Sequence, residues 1–562
     1  MPKDLGTNHG TILGLGGSDH DVHACIVRDG SVAVNIEEER LIRRKYGIGG
    51  NLLEGRGRRY CLDYLGMDQG DVDLTVADSI LAAPALFGVR KSARPIDHHL
   101  THASAAFFTS GFDSAAVLVV DNAGGLTEDG EGTPILQATS WYHASGREIR
   151  LLGRVGSTNW KEGPPVNGVP YQRGDGDHSL GHLYKKFTGA LGFRFPSDVP
   201  PDGYYFPEDG ITMGLASYGD HRFVEELWTH VELLAGGRYR LALNDGRIDG
   251  LLAGWLAGEP SFEVRAAAAA AVQEVLTRIL CHLVEHLLDQ TGERNLCLGG
   301  GVAMNSSANG EILRRTRVER LYVPPVPGDN GTGVGAALWA ATRDPGRPIP
   351  AYSVYGGAVY GSDRIQAAAG ELEREGFSVR RLDDDELIAE VAGRLARGEV
   401  IGWFEGGSES GRRALGHRSL LADPRSAAMR DHINFDVKRR QSFRPFAPVV
   451  PEERAGDYFE MSQPSPYMQI VFPVRPEKRD GLAAITHVDG SARVQTVNGE
   501  QHLRLYKLLH AFETLAGVPV LLNTSFNGKG EPIVETPEDA ARCFASMPIQ
   551  GLVLENVLVI RT

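Results

Sequence analysis

The sequence predicts an α/β protein of two lobes, and three observations predict it. At 562 residues the chain is too long for one hydrophobic core and suggests roughly two to four domains. Short apolar runs ending in glycine turns alternate with segments of helical period. Between two such series, Arg343-Asp344-Pro345-Gly346-Arg347-Pro348-Ile349-Pro350 reads as a linker, placing the domains at 1–345 and 346–562.

In chain order, Thr11–Gly16 reads as a strand entering the polar turn Gly17-Ser18-Asp19-His20-Asp21. A strand His23–Val27, a hairpin turn Arg28-Asp29-Gly30-Ser31 and a strand Val32–Ile36 follow. The actin/sugar-kinase/heat-shock-ATPase superfold begins in this way, with its first turn facing nucleotide phosphates. Glu37-Glu38-Glu39-Arg40 leads into Arg43-Arg44-Lys45, which reads as a solvated helix end.

Pro95 and Asp97 then open a helix, the aspartate accepting from free backbone N–H groups, and Gly111 closes it. His98 and His102 stand four apart on it, about 40° from each other around the axis, so their imidazoles can converge on one ion. Three histidines in five residues would equally suit a surface helix face. The apolar strand Ala115–Val120 favours the metal reading, because it delivers Asp121 at its C-terminal end. Two imidazoles and a carboxylate suit a first-row divalent cation.

Further on, Gly210–Gly219 is glycine-spaced, as a backbone that approaches a ligand would be. A helix ending at Gly292 precedes a strand Asn295–Leu298 and the turn Gly299-Gly300-Gly301-Val302-Ala303-Met304-Asn305. The next helix carries Asn309, and a ligand can sit against N–H groups at such a helix start. In Pro327-Gly328-Asp329-Asn330-Gly331-Thr332-Gly333 an aspartate opens a helix beside glycines, a metal or phosphate site. Two glycine turns and the first hairpin turn together make the arrangement an ATP cleft needs.

Past the linker, a strand Val379–Leu382, a helix Asp385–Arg397 and a strand Val400–Phe404 start a new α/β domain. There Arg412, Arg413, Arg418, Lys438, Arg439, Arg440 and Arg444 crowd together among glycines and prolines, followed by Arg493 and Lys529. Guanidinium groups on tight loops hold phosphate or carboxylate oxygens in pairs.

Composition bounds the partners. A net charge of −14 argues against nucleic acid and acidic membranes, while allowing a local anion pocket. Five cysteines without CxxC spacing indicate neither a disulfide frame nor a zinc knuckle. Met1-Pro2-Lys3-Asp4 lacks an apolar signal core, and Ala266–Leu288 is broken by Gln273, Glu274, Arg278, His282, Glu285 and His286. A cytoplasmic enzyme without a membrane span is expected.

These pieces, in this order, resemble the carbamoyltransferase family of the tobramycin, nodulation-factor, cephamycin and ansamycin O-carbamoyltransferases. The matching stretches are His20-Asp21, Glu37–Arg40, His98–His102, Gly300–Asn305 and Pro327–Gly331, then Arg413–Ser419, Lys438–Pro448, Arg493–Thr496 and Asn523–Asn527. They cover nearly the whole chain.

The resemblance implies a duplicated actin/sugar-kinase-like lobe, similar to the tRNA threonylcarbamoyl transferase, followed by a YrdC-like lobe. It implies that carbamoyl phosphate and ATP become carbamoyl adenylate and pyrophosphate in the second lobe. A hydroxyl of a small natural-product acceptor then takes the carbamoyl group in the first, during antibiotic tailoring. By the same resemblance His98, His102, Asp121 and Asp329 hold Fe²⁺ or another divalent metal, Mg²⁺ is a further possible cofactor, and His20 is the general base. Arg413, Lys438, Arg444 and Arg493 act on the anions. Gly300, Gly301, Asn305, Asp329, Arg418, Arg440, Asn523, Ser525, Asn527 and Lys529 bind the nucleotide. A homodimer is among the expectations.

Five positions depart from the family pattern: Ile211 near a usual lysine, Arg412 for proline, His417 for asparagine, Gln441 for glutamate, and Gly528-Lys529 for a pair ending in arginine. The alternatives are N-carbamoylation of an amine or guanidine, a small-molecule kinase of the same superfold, and a silent nucleotide-binding regulator. The acceptor pocket is expected from 40–60 and 155–210, with Trp160, Tyr171, Tyr204, Tyr205 and Phe206 as aromatic walls.

Overall fold

The computed structural model describes residues 10–47, 55–129, 131–162, 172–174, 176–194, 207–243 and 246–561. Tyr171, Tyr204, Tyr205 and Phe206 lie outside them, and Trp160 is half-buried. The chain divides into two compact units, Met1–Glu38 with Tyr46–Tyr352 and Glu39–Lys45 with Ser353–Thr562.

The first unit holds two sheets of the same connectivity. In one, Thr11–Gly16 pairs antiparallel with His23–Arg28, which pairs antiparallel with Ser31–Glu37. On its other side Thr11–Gly16 runs parallel to Leu74–Asp78, and that strand parallel to Arg94–Ile96. In the other sheet, Ser114–Val120 pairs antiparallel with Pro134–Ser145, which pairs antiparallel with Glu148–Ser157. Ser114–Val120 is likewise parallel to Asn295–Gly299, and that strand to Arg320–Tyr322. This repeated order is the duplication expected of the superfold.

Glycine lets the layers between the sheets close up. A Cβ on Gly14 or Gly16 would come 2.2 Å from Gly333 O or 2.0 Å from Gly333 N, and one on Gly335 would come 1.8 Å from Thr101 O. The helix Thr332–Ala341 therefore lies directly on the first strand and on the helix His98–Phe108. Val334, Ala336, Ala337 and Leu338 join Ile12, Val76, Ala103 and Phe107 in one core. The close approach holds the start of one helix against the start of the other.

Gly210–Gly219 is largely helical. Asp209–Ala216 is a helix with Ile211 only 2% exposed, and a Cβ on Gly219 would meet Ala266 O at 2.1 Å. Gly219 lets the segment's end lie against Ala266 of the long helix, while a Cβ on Gly210 would meet open space. Phe262–Thr291, capped by Ser261 and by Gly292 in the left-handed region, is long and apolar enough to cross a membrane by length and composition. Its residues Ala266–Val272 and Val275–Leu288 contribute a buried stripe inside the unit.

The second unit is built on a mixed sheet ordered Ser378–Arg381, Val557–Ile560, Gly551–Leu554, Ile401–Phe404, Arg418–Ala422, Leu521–Ser525, Ala447–Pro451 and Gln495–Val497. Leu387, Val391 and Leu395 of helix Asp384–Ala396 pack with Leu505, Leu508 and Phe512 of helix Leu503–Ala516 on Trp403, Leu421 and Leu521. Glu39–Lys45 belongs to this unit, and the expected solvated helix end is not what the segment forms. Arg40 is buried and donates to Gly411 O at 2.6 Å, while Arg43 donates to Ile533 O at 2.7 Å and Pro532 O at 2.9 Å.

Candidate functional site

Two charged clusters stand out, one in each unit. The first starts from Asp97, whose carboxylate accepts from Leu100 N at 3.0 Å and so caps the helix His98–Phe108. Gln137 steadies the cap, its Nε2 donating to Asp97 Oδ2 at 3.0 Å while Gly125 N donates to its Oε1. His98 and His102 are buried on this helix. Asp78 closes the apolar strand Leu74–Asp78, and its Oδ2 lies 2.7 Å from His98 Nδ1. A proton on Nδ1 satisfies that carboxylate and leaves the lone pair on Nε2.

That Nε2 lies 3.2 Å from His102 Nε2 and 3.2 Å from Asp121 Oδ2. His102 Nε2 lies 3.7 Å from Asp329 Oδ1. One ligand atom from each of His98, His102, Asp121 and Asp329 falls within 4.8 Å of the other three. Two ring nitrogens facing each other across 3.2 Å beside two carboxylates form a donor set that fits a first-row divalent cation.

The three carboxylates around His98 give the cluster a field that favours positive charge. Burial disfavours a charged His98, yet Asp78, Asp121 and Asp329 outweigh it and raise it well above the ordinary histidine range. Burial likewise opposes ionised Asp121 and Asp329, and the neighbouring histidines hold both below the usual carboxylate range. His99 takes no part: its Nδ1 pairs with Ser140 Oγ at 2.7 Å, and burial with the field of His98 keeps it neutral.

The turn Gly17–Asp21 abuts this cluster. Ser18 Oγ donates to Asp329 Oδ2 at 2.8 Å, and Gly17 N to Thr332 Oγ1 at 2.9 Å. His20 Nδ1 sits 3.0 Å from Asp21 Oδ2, with Asp21 at a φ of 54° in the left-handed region. Burial pulls the His20 pKa down, but the hydrogen bond and charge of Asp21, aided by Asp19 and Asp329, lift it to about 9. The side chain is still 25% exposed.

The glycine turn after Asn295–Gly299 packs closely against its neighbours. Gly300 has a φ of 88°, and a Cβ there would meet Val120 O at 2.2 Å, so it brings two strands' ends together. Gly301 N donates to Asp121 Oδ1 at 3.0 Å. Asn305 caps its own helix through Ala308 N and exchanges hydrogen bonds with Gln273. These residues support Asp121 and a helix end.

The second cluster gathers cations. Lys438 Nζ is buried and donates to Asn527 Oδ1 at 2.7 Å, to Asn527 O at 3.1 Å and to Ser525 O. Burial, then Arg440, push its ammonium well below the ordinary lysine range. Arg413 is depressed by burial and by Arg493, Arg412 and Arg444, and Arg440 by burial and Arg444. Arg493 falls to about 10 through burial, Arg440 and Arg444. Among the described residues, the neighbouring charges that shift these three arginines are positive, a field that favours an anion.

Arg418 stands apart from this group. It is wholly buried, stacks 3.6 Å over Phe404 and donates to the carbonyls of Glu405, Gly406, His417 and Glu535. Its guanidinium ties together the protein's own backbone. Asn523 similarly bridges Ala414 O and Gln495 Oε1, while Lys529 is exposed. Ser525 Oγ donates to Asn527 Oδ1 at 2.8 Å. His417 stacks on Tyr355 at 3.7 Å and bonds Gly407 O, and burial keeps it neutral.

Asp78, Ser18 and Gln137 escape the sequence reading. Asp78 carries the signal that marks Asp121, an aspartate at the end of an apolar strand; the other two have none.

Comparison with known proteins adds the family. The family model described as the carbamoyltransferase N-terminus matches residues 88–338, and that of the carbamoyltransferase C-terminus matches 392–561. The nodulation protein NolNO of Sinorhizobium fredii is 36% identical, over 96% of this chain and 79% of its own. The 3'-hydroxymethylcephem-O-carbamoyltransferase of Amycolatopsis lactamdurans is 37% identical over 46% of this chain and 47% of its own. HypF from T. kodakarensis, a solved structure, is 14% identical with a TM-score of 0.37, over 61% of this chain and 48% of its own. The protein is a transferase, and the chain belongs to the carbamoyltransferase family.

Proposed function

We propose that the protein is an ATP-dependent O-carbamoyltransferase that makes carbamoyl adenylate in its second unit and uses it in its first. The observation that carries the reading is the pairing of a mutually repelling, partly buried cation cluster with a separate two-histidine, two-aspartate cluster on one chain. Carbamoyl phosphate, ATP and one water give carbamoyl adenylate, pyrophosphate and phosphate. Arg413, Lys438, Arg440, Arg444 and Arg493 hold the phosphates and offset charge that develops as pyrophosphate leaves. In the first unit the acceptor hydroxyl attacks the carbamoyl carbon, the bond to the AMP oxygen breaks, and His20 takes the hydroxyl proton.

His98, His102, Asp121 and Asp329 would hold a divalent cation, iron(II) by the family resemblance, which supplies Lewis acidity toward phosphate oxygens. Asp78 fixes the ring of His98, and Ser18 orients Asp329. The acceptor is a hydroxyl of a natural product in a cytoplasmic pathway of antibiotic tailoring. The test is incubation with ATP, carbamoyl phosphate and a panel of hydroxylated natural products, followed by nucleotide chromatography and mass spectrometry. AMP, pyrophosphate and a carbamoylated acceptor support the reading; ADP and a phosphorylated acceptor contradict it.

The role of His20 has a pH signature. A base must be neutral to accept a proton, so a pKa lifted to about 9 makes the transfer rate climb with pH through that region. Asp21→Asn removes the main upward influence and leaves only Asp19 and Asp329 to oppose burial, so the pKa falls. The rising limb of the transfer step is therefore expected to move to lower pH in Asp21→Asn. A limb that stays in place would take the proton-accepting role from His20.

A further inference from the structure

The cations of the second unit repel one another, so something must hold them in place without cancelling their charge. Lys438, Arg440 and Arg444 share one short loop, entered through the π-helical turn Ile433–Val437. Lys438 N closes that turn on Ile433 O at 2.8 Å, five residues back, and Arg439 follows with a φ of 48°. Turns of this type concentrate at functional sites.

Asn434 lies inside the turn and is fully buried. Its Nδ2 donates to Ser442 O at 3.3 Å and to Arg444 O at 3.1 Å. Its Oδ1 accepts from Arg440 Nε at 2.8 Å, and its backbone O from Arg440 N at 2.9 Å. The partners dictate the amide's orientation, since a guanidinium only donates and backbone carbonyls only accept.

From this geometry we propose that Asn434 is a positioning residue for the adenylate-forming site: a neutral clip that fastens both ends of the loop bearing Lys438, Arg440 and Arg444. The inference rests on the adenylation reading above and names the residue that organises its phosphate contacts. Arg444 acts on Lys438, Arg440, Arg413 and Arg493, so the loop's shape reaches the whole cluster. Asparagine suits the task because it accepts from a cation and donates to carbonyls while adding no charge. Aspartate would accept from Arg440 but could donate nothing to Ser442 O and Arg444 O. Its charge would also offset the field that attracts the phosphate.

Asn434→Asp and Asn434→Ser, made in the full-length protein, test this. Calorimetric titration with carbamoyl phosphate and initial rates of pyrophosphate release are the measurements, with thermal unfolding recorded alongside. The expected result is binding weakened about tenfold or more in Asn434→Asp and less in Asn434→Ser, with KM raised more than kcat is lowered. If the aspartate variant does not fold, Asn434→Ser carries the test alone. In an Arg440→Met background the same substitution should cost much less, because its partner is already gone.

Unchanged carbamoyl phosphate binding in folded variants, or effects that simply add in the Arg440→Met background, would overturn the positioning role. Weakened binding together with no pyrophosphate release from the wild type would instead remove the adenylation reading and leave the clip standing.

Discussion

Lys438→Ala is expected to abolish pyrophosphate release from ATP and carbamoyl phosphate, whereas His20→Ala leaves that step intact and blocks transfer. The ammonium of Lys438 is buried and fixed by Asn527 Oδ1 and the carbonyls of Ser525 and Asn527. Burial and Arg440 disfavour its charge, and a bound polyanion would favour it. Held there, the ammonium acts on the developing negative charge through its field, and losing one such preorganised group costs about a hundred- to a thousandfold in rate. His20 lies in the other unit, beside Asp21 and in the field of Asp329. Its removal should slow carbamoyl transfer by about a hundredfold or more while adenylate still forms. Pyrophosphate release with and without acceptor separates the two steps. Equal loss of both steps in each variant would contradict the division of labour.

His98→Ala should eliminate both metal binding and transfer. The alanine removes one of four donors from a buried site and leaves Asp78 and Asp121 without their shared imidazole. Asp78→Asn is the gentler change. It keeps all four donors but weakens the partner that sets the His98 ring, and such partners are worth about 10- to 100-fold in metal affinity. Elemental analysis after loading with iron(II) should find near-stoichiometric metal in the wild type, little in His98→Ala, and a weakened site in Asp78→Asn. Adenylate formation should persist in both variants. Full metal loading of His98→Ala would show that the cluster is not the site.

Much of the first cluster is legible in the sequence. The i, i+4 histidine pair, an aspartate closing an apolar strand and an aspartate opening a glycine-rich helix are local signals, and the fold brings them together. Asp78 bears the same strand-end signal, but only the parallel neighbour relation of Thr11–Gly16 and Leu74–Asp78 sets its strand in place. Glycines are harder to read. A backbone that approaches a phosphate and one that approaches another backbone both require a missing Cβ, and Gly14, Gly16, Gly300, Gly333 and Gly335 are of the second kind.

Arginines pose a similar problem in the second unit. Nothing local separates Arg413, which is shifted by Arg493, Arg412 and Arg444, from Arg418, which is tied to four carbonyls. The membership of Glu39–Lys45 in the second unit is likewise invisible, because its carbonyl partners lie near 411 and 532.

The most direct measurement is exchange of labelled pyrophosphate into ATP by the wild type, with no acceptor present. If the second unit builds a carbamoyl–AMP anhydride reversibly, label should enter ATP only when carbamoyl phosphate is supplied, and Lys438→Ala should prevent it. No exchange under any condition, with ADP as the nucleotide product once an acceptor is added, would contradict the account.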